Sequence, residues 1–344
     1  MIQIEYLPMN YYDAIVIRYD GNDGIFHNIL IDGGDYRNAT LCYKDNIKPR
    51  LQQIFNAGEV IDLWIITHID DDHIGGLFHF VNDTEFYRNN AERLKNIWMN
   101  YGGVGDYKLH TTGEISYEHG KDLRDMILSK GATVLCGITT GVNLNIAGAL
   151  ITAVGPSASA LNEYIAWWNK REFPESFSTS NGEIDGKDND YDILFADFDV
   201  SNYTEDKSVT NRSSIAVVIT FGELNFLFSA DSCSSILKEG LVSQGFARQG
   251  VVKFDMMHIP HHGSCRNTSK EFLDMIDCDN YVITGNGRNK YHLPDKETIA
   301  RLKATKQGVF SLHFPNYNST IEQIFENEKD GSFKVYPKAE FSYE

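Results

Sequence analysis

The segment Thr67-His68-Ile69-Asp70-Asp71-Asp72-His73-Ile74-Gly75-Gly76 decides how this 344-residue chain is read. It follows Ile61-Asp62-Leu63-Trp64-Ile65-Ile66, a short apolar and β-branched run that predicts a buried strand. The strand's carboxyl end then delivers imidazoles and carboxylates into a turn, and a short helix, Leu77 to Asn82, is expected after the two glycines. Alternation along an extended segment directs His68, Asp70 and Asp72 to one side. His73 joins them from the turn. A loop that only caps the next helix explains one Asp, not four donor side chains within the six residues 68–73. Imidazole and carboxylate donors of this kind suit zinc, and also manganese or iron, at two neighbouring sites.

The pattern Thr-His-x-Asp-x-Asp-His-x-Gly-Gly resembles the metal motif of the metallo-β-lactamase fold, whose usual form is His-x-His-x-Asp-His. Asp70 stands where that form has its second histidine. This variant resembles the soluble hydrolase domain of the DNA-uptake protein ComEC and its stand-alone relatives. The resemblance implies an α/β protein, an αββα sandwich of two mixed sheets flanked by helices. It covers most of the chain, more loosely at 85–145 and 157–210.

Other stretches fit the same family. Strands are predicted at 2–7, 13–19 and 26–31, with turns at Asn10-Tyr11-Tyr12 and Gly21-Asn22-Asp23-Gly24. Tyr12-Asp13-Ala14 and Leu30-Ile31-Asp32-Gly33 match family positions that brace the metal loop, so Asp13 and Asp32 are expected behind the ligands. Leu224 to Phe228 reads as a strand ending in Ser229-Ala230-Asp231-Ser232. By resemblance Asp231 is the carboxylate that bridges two metals. The strand Val251 to Met257 leads into His258-Ile259-Pro260-His261-His262-Gly263-Ser264. The match makes His262 a ligand and turns His261 toward the substrate as a proton donor or phosphate contact, although the adjacent pair leaves open which one coordinates. Ser264 and His292, in Tyr291-His292-Leu293-Pro294, are expected at the rim, and His258 is structural. A third histidine for the first metal would fall near Thr210-Asn211-Arg212-Ser213, where none is present. Asn211 is the candidate weak ligand or substrate contact there. His110 and His119 read as loop or helix-surface residues.

The implied ligand set is therefore His68, Asp70, Asp72, His73, Asp231 and His262, with Asp72, His261 and Asn211 in contact with the reaction. Two divalent ions would share an activated hydroxide, and Asp70 shifts preference modestly toward manganese or iron with zinc still the first choice. The leading function is a metal-dependent phosphodiesterase, a nuclease among the options. A small-molecule phosphoester hydrolase, a lactonase or a catalytically silent partner-binding protein are the alternatives.

Composition bounds these readings. The net charge of −17 counts against nucleic acid, because phosphate backbones favour basic surfaces. Bound divalent cations would offset it locally and attract an anionic substrate. The opening residues Met1 to Tyr6 alternate like a strand rather than forming a signal peptide, and no apolar run reaches membrane-spanning length. A cytoplasmic protein is expected. The five scattered cysteines suit a reducing compartment, with Cys265 a spectator thiol. One domain, 1–344, is expected, with a partly flexible insertion at 157–210 near the site entrance that could select substrate or meet a protein partner. The tail from Thr320 to Tyr343 reads as strands or a hairpin closing a sheet.

Overall fold

The computed structural model describes residues 1–10, 12–103, 115–172, 188–306, 308–328 and 331–344. His110, Tyr11 and part of the expected insertion, 173–187, lie outside the described residues.

Strands β1 (Ile2–Tyr6), β2 (Ala14–Asp20), β3 (Phe26–Asp32), β4 (Leu63–Ile66), β5 (Ile97–Met99) and β6 (Val134–Leu135) run in chain order across one sheet. Strands β7 (Asn143–Ile146), β8 (Ala149–Gly155), β9 (Ala216–Phe221) and β10 (Leu224–Phe228) begin the second. A minor pair, β11 (Val252–Lys253) and β13 (Ile276–Asp277), flanks it. The second sheet is completed by β12 (Met256–His258), β14 (Asn280–Val282), β15 (Phe310–His313) and β16 (Phe333–Tyr336). The last strand, β17 (Glu340–Tyr343), returns to the first sheet and pairs with β1. In each sheet antiparallel strands give way to a parallel block, β3 to β6 in one and β10 to β16 in the other.

Alternation along the strands explains the layering. In β4, Leu63 and Ile65 point into an apolar layer shared with the second sheet, through Phe226 and Phe228 of β10 and Met256 of β12. Trp64 and Ile66 point the other way, onto helices that cover the outer face. Leu227 and Met257 do the same for the second sheet. Both faces of β4 are thus buried, which is why it reads as an unbroken apolar run. Helices outside, two sheets within: the fold is the αββα sandwich.

One expectation needs correcting. The helix after β4 starts at Asp71, not after Gly76, and spans Asp71–Asn82. Asp71 and Asp72 sit in its first turn, where the helix dipole favours carboxylates. Asp72 therefore reaches the site from a helical turn, not from an extended segment.

The stretch 157–210 is amphipathic at its start, around Leu161 to Lys170. Ala158–Glu172 is a helix whose Leu161, Tyr164 and Trp168 belong to the outer core of the first sheet. Glu172 makes a two-pronged pair with Arg124, at 2.8 Å for both prongs. Further on, Tyr191 and Phe195 are buried in the second sheet's outer core, and Asp190 caps the helix Lys296–Thr305 by accepting from the backbone of Lys296 and Glu297.

The tail takes the strand alternative rather than the hairpin. It forms the helix Ser319–Phe325 and then gives β16 to one sheet and β17 to the other.

Among the described residues, no helix is long and apolar enough to cross a membrane.

Candidate metal centre

The site lies where several strand ends meet, as expected for the carboxyl edge of parallel strands. Asp32 ends β3, Thr67 and His68 follow β4, Asp231 follows β10, and His261 and His262 follow β12. Asp13 sits just before β2. The backbone at these ends is unusual. Asp32 (φ 57°), Ala230 (φ 47°), His261 (φ 49°) and His262 (φ 54°) are all left-handed, a conformation that L-residues adopt at a cost. Strain gathered at one place points to a function held there.

Two small clusters share Asp231. Its Oδ1 faces His73 Nε2 at 3.6 Å and His262 Nε2 at 4.0 Å. Its Oδ2 faces His68 Nε2 at 3.7 Å and His261 Nε2 at 3.4 Å. Asp72 closes one side, with oxygens 3.8 Å from His73 and 3.5 Å from His262. Asp70 approaches the other, 3.6 Å from His68. Two tight triads face the centre, His68–His73–Asp231 and Asp72–His73–His262, and two more, Asp13–Asp32–His73 and Asp13–Asp231–His262, lie through Asp13, all with donor atoms inside 4.8 Å of each other. Asp70 and His261 are in no tight triad, so the side around His68 is the more open.

Most of these contacts are too long for hydrogen bonds. His68 Nε2, His73 Nε2, His262 Nε2 and Asp231 Oδ1 are buried with no hydrogen-bond partner. Each such orphan costs about 1–3 kcal/mol. Four orphans converging on one spot fit a cation: bonds of about 2.0–2.1 Å in a tetrahedral shell leave neighbouring donors roughly 3.3 Å apart. The donor set of imidazole and carboxylate fits a divalent metal.

The far side of each ring is braced. His73 Nδ1 lies 2.7 Å from Asp32, which also accepts from the Thr67 backbone at 2.8 Å and the Thr67 hydroxyl at 2.7 Å. His262 Nδ1 lies 3.0 Å from the Thr284 hydroxyl and 3.5 Å from Asp13. His68 Nδ1 meets the Thr67 hydroxyl at 3.1 Å. An acceptor at Nδ1 turns the Nε2 lone pair toward the centre.

Charge follows from these distances. Burial opposes protonation of His73, but Asp32, Asp231 and Asp72 outweigh it and raise its pKa well above the imidazole range. Burial is likewise outweighed at His262 by Asp13 and Asp231. Asp231 loses water on burial, yet His261, His73 and His262 hold it well below the carboxylate range. Asp72 and Asp13 are lowered in the same way against their burial, Asp72 by His73 and His262, Asp13 by His258 and His262.

The remaining candidates are placed as follows. Asn211 donates from Nδ2 to Asp206 at 2.6 Å, and its Oδ1 is buried without a partner. Its neighbour Thr210 donates to Asp70 at 3.2 Å. Ser264 shapes the loop, donating its N–H to the His261 carbonyl and accepting the Arg266 N–H on its hydroxyl. His292 faces the Gly287 carbonyl at 3.3 Å. His258 is buried 3.7 Å from Asp13. His119 lies in the helix Ile115–Ser129, binds Asp71 at 2.8 Å and stacks on Tyr36. Cys265 is buried and donates its N–H to Asp295 at 2.8 Å. Sequence reasoning missed Asn267, Asp206 and Thr284. Asn267 and Thr284 are buried polar side chains touching His261 and His262. Thr284 stands in the run Tyr281-Val282-Ile283-Thr284-Gly285, which resembles the family without marking its hydroxyl, and Asn267 stands outside any motif.

Residues 13–127 match the sequence profile of the metallo-β-lactamase superfamily. Within the described residues the profile takes in Asp13, Asp32 and the whole His68-to-His73 motif. ComE operon protein 3 of Bacillus subtilis (strain 168) is similar to it, 27% identical over 134 residues, which are 38% of this chain and 16% of that protein. The chain thus spans about one sixth of its curated relative. Among solved structures it is similar to the metallo-β-lactamase fold protein YhfI from Bacillus subtilis, at 10% identity and a TM-score of 0.40 over 99% of this chain and 98% of that one. It is also similar to a metal-dependent hydrolase of the β-lactamase superfamily, at 10% identity and a TM-score of 0.42 over 100% and 99%.

Proposed function

We propose that this chain is a hydrolase of phosphodiesters that works with two divalent cations. The observation behind this reading is Asp231, whose two carboxylate oxygens face different imidazole pairs. A carboxylate can bridge two cations, one on each oxygen, and a neutral imidazole cannot. The first cation would be held by His68, Asp70 and Asp231, and the second by Asp72, His73, His262 and Asp231. Cations held there would supply Lewis acidity, activating water near neutral pH and offsetting charge on the phosphoryl oxygens.

The chain's own residues do the rest. Asp32, Thr67, Thr284 and Asp13 hold the rings in place. Asp72 faces both His73 and His262, and its side chain keeps 30% exposure. A carboxylate so placed can take a proton from the attacking water. Asn211 and Thr210 line the side of Asp70 and Asp206, where the substrate would be contacted. Imidazoles favour zinc, and the carboxylate oxygens of Asp70, Asp72 and Asp231 shift the preference modestly toward manganese or iron and suit phosphate esters over amides.

Charge favours a second reading within the same chemistry, a small phosphoester rather than a nucleic acid. The groups that dominate the charge of Asp72, His73, Asp231 and His262 are aspartates and histidines, with no Lys or Arg among them. A polyanion would meet a net charge of −17.

The experiment is hydrolysis of bis(p-nitrophenyl) phosphate and of single-stranded DNA by protein loaded with manganese or zinc. Turnover of both supports the nuclease reading, and turnover of the small diester alone supports the second. Metal-loaded protein inert toward every phosphodiester would sink the proposal. Asp231→Ala is expected to abolish activity and metal uptake together.

A further inference from the structure

We propose that His261 is a protein donor to the first cation through Nε2, with Asn267 fixing the tautomer that makes this possible. The inference rests on the two-cation reading above and adds a ligand to its incompletely furnished side.

Symmetry about Asp231 is the first argument. His262 and His73 face one oxygen, and His261 and His68 face the other, with His261 the nearest of the four at 3.4 Å. His261 thus stands to the first side as His262 stands to the second.

The second argument is the far face of the ring. Asn267 Oδ1 lies 2.9 Å from His261 Nδ1. The amide cannot be turned round without loss, because its Nδ2 donates to the backbone carbonyls of Asp231 at 3.0 Å and Ser232 at 3.4 Å. Asn267 is fully buried. Asp206 Oδ2, 3.8 Å from the same Nδ1, is beyond hydrogen-bond reach and adds negative charge on that side. The one donor nearby, Asn211 Nδ2 at 3.5 Å, is engaged by Asp206 at 2.6 Å. A neutral imidazole with an acceptor at Nδ1 keeps its proton there and leaves a lone pair on Nε2. Such a ring has no Nε2 proton to give a leaving group, and it can coordinate. This differs from the proton-donor role that the sequence suggests.

The third argument is the backbone. His261 and His262 are consecutive left-handed residues, each costing on the order of 1–3 kcal/mol. One strained residue would suffice to aim one ring. Two are explained if both rings must reach Asp231. Because Asp70 and His261 lie outside the tight triads, the first cation is expected to bind the more weakly.

The test uses cobalt(II) and manganese(II) as probes of the full chain. Wild type should take up two ions, and His261→Ala should lose at least tenfold in affinity for the weaker ion while keeping the tighter one. His261→Cys loaded with cobalt should gain a thiolate-to-cobalt charge-transfer band in the near ultraviolet that the wild type lacks. In the cobalt-loaded wild type, proton NMR should show four hyperfine-shifted imidazole N–H signals, a readout that needs no variant to fold. Three signals, or two ions bound with unchanged affinity by His261→Ala, would overturn the role of His261. So would loss of the weaker ion in Asn211→Ala alone. Wild type that binds fewer than two ions refutes the two-cation reading itself, and the ligand role with it.

Discussion

Asp32 shows how much one buried carboxylate organises. It accepts from the Thr67 backbone, the Thr67 hydroxyl and His73 Nδ1, so it ties the start of the motif to its end. Partners behind metal ligands typically change affinity 10–100-fold. Asp32→Asn should weaken metal binding by that order, measured by competition with a chromophoric chelator. A variant with wild-type affinity would remove Asp32 from this role.

Protons and metal compete at the same residues. His73 and His262 hold protons above the usual imidazole range in the cation-free chain. Metal uptake must displace them, so it should release protons and tighten as pH rises. Calorimetry in buffers of different ionisation enthalpy measures the release. The same raised values give the cation-free chain stability that is full below the unfolded imidazole pKa of about 6.5 and is lost as pH rises through the raised folded values. Its lowered carboxylates, Asp72 and Asp231, contribute above their ordinary range and lose that contribution as pH falls through their folded values. Raising the pH above neutral should therefore destabilise the stripped protein while strengthening its hold on metal. Thermal melts at several pH values, with and without chelator, would show whether the two trends oppose.

At the scale of elements, the helix Asp71–Asn82 is held against the loop after β3 by glycines. A Cβ on Gly75 would lie 2.5 Å from the Asp35 carbonyl carbon, and one on Gly33 would lie 2.6 Å from the Gly76 backbone. Gly75 also donates its N–H to the Gly34 carbonyl at 2.8 Å. Because backbone cannot yield as a side chain can, Gly75→Ala should cost about 1–3 kcal/mol in urea unfolding. Gly308→Ala, with open space around it, is the control and should change stability by less than about 0.5 kcal/mol.

These elements show what the sequence made legible. β4 could be read because burial on both faces leaves an unbroken apolar run, and β10 because its last three residues, Phe226 to Phe228, do the same before Asp231. The helix start could not be read, because Asp has poor helix propensity except in the first turn, where Asp71 and Asp72 lie. The helix Ala158–Glu172 was legible as an amphipathic stretch, Leu161 to Lys170, but its place was not: Leu161, Tyr164 and Trp168 enter the outer core of the first sheet, with Ile165 and Trp167 packed against it. Asn267 was invisible for another reason. It is joined to His261 and Asp231 by folding, and no local pattern marks it.

For the whole molecule, metal and stability are linked by mass action. A cation at 100 times its dissociation constant adds about 2.7 kcal/mol per site. Chelation should therefore lower the melting temperature of the wild type and leave that of Asp231→Ala unmoved, as read by calorimetry. The tail is a second global tie, since β16 joins one sheet and β17 the other, where Phe341 is 3% exposed. Ending the chain at residue 338 should strip β1 of its neighbour and lower the midpoint of chemical unfolding. An unchanged midpoint would show β17 to be dispensable.

Pairing of Ile2 with Tyr343 also has a kinetic meaning. On the ribosome, β1 can find β2 within seconds of its synthesis, but its other edge stays bare until residues 340–343 have emerged. During that interval an open row of N–H and C=O groups, backed by Ile2 and Ile4, is a template for strands of other nascent chains. Crowded expression should therefore favour aggregation through β1, and slower translation should leave the hazard in place for longer.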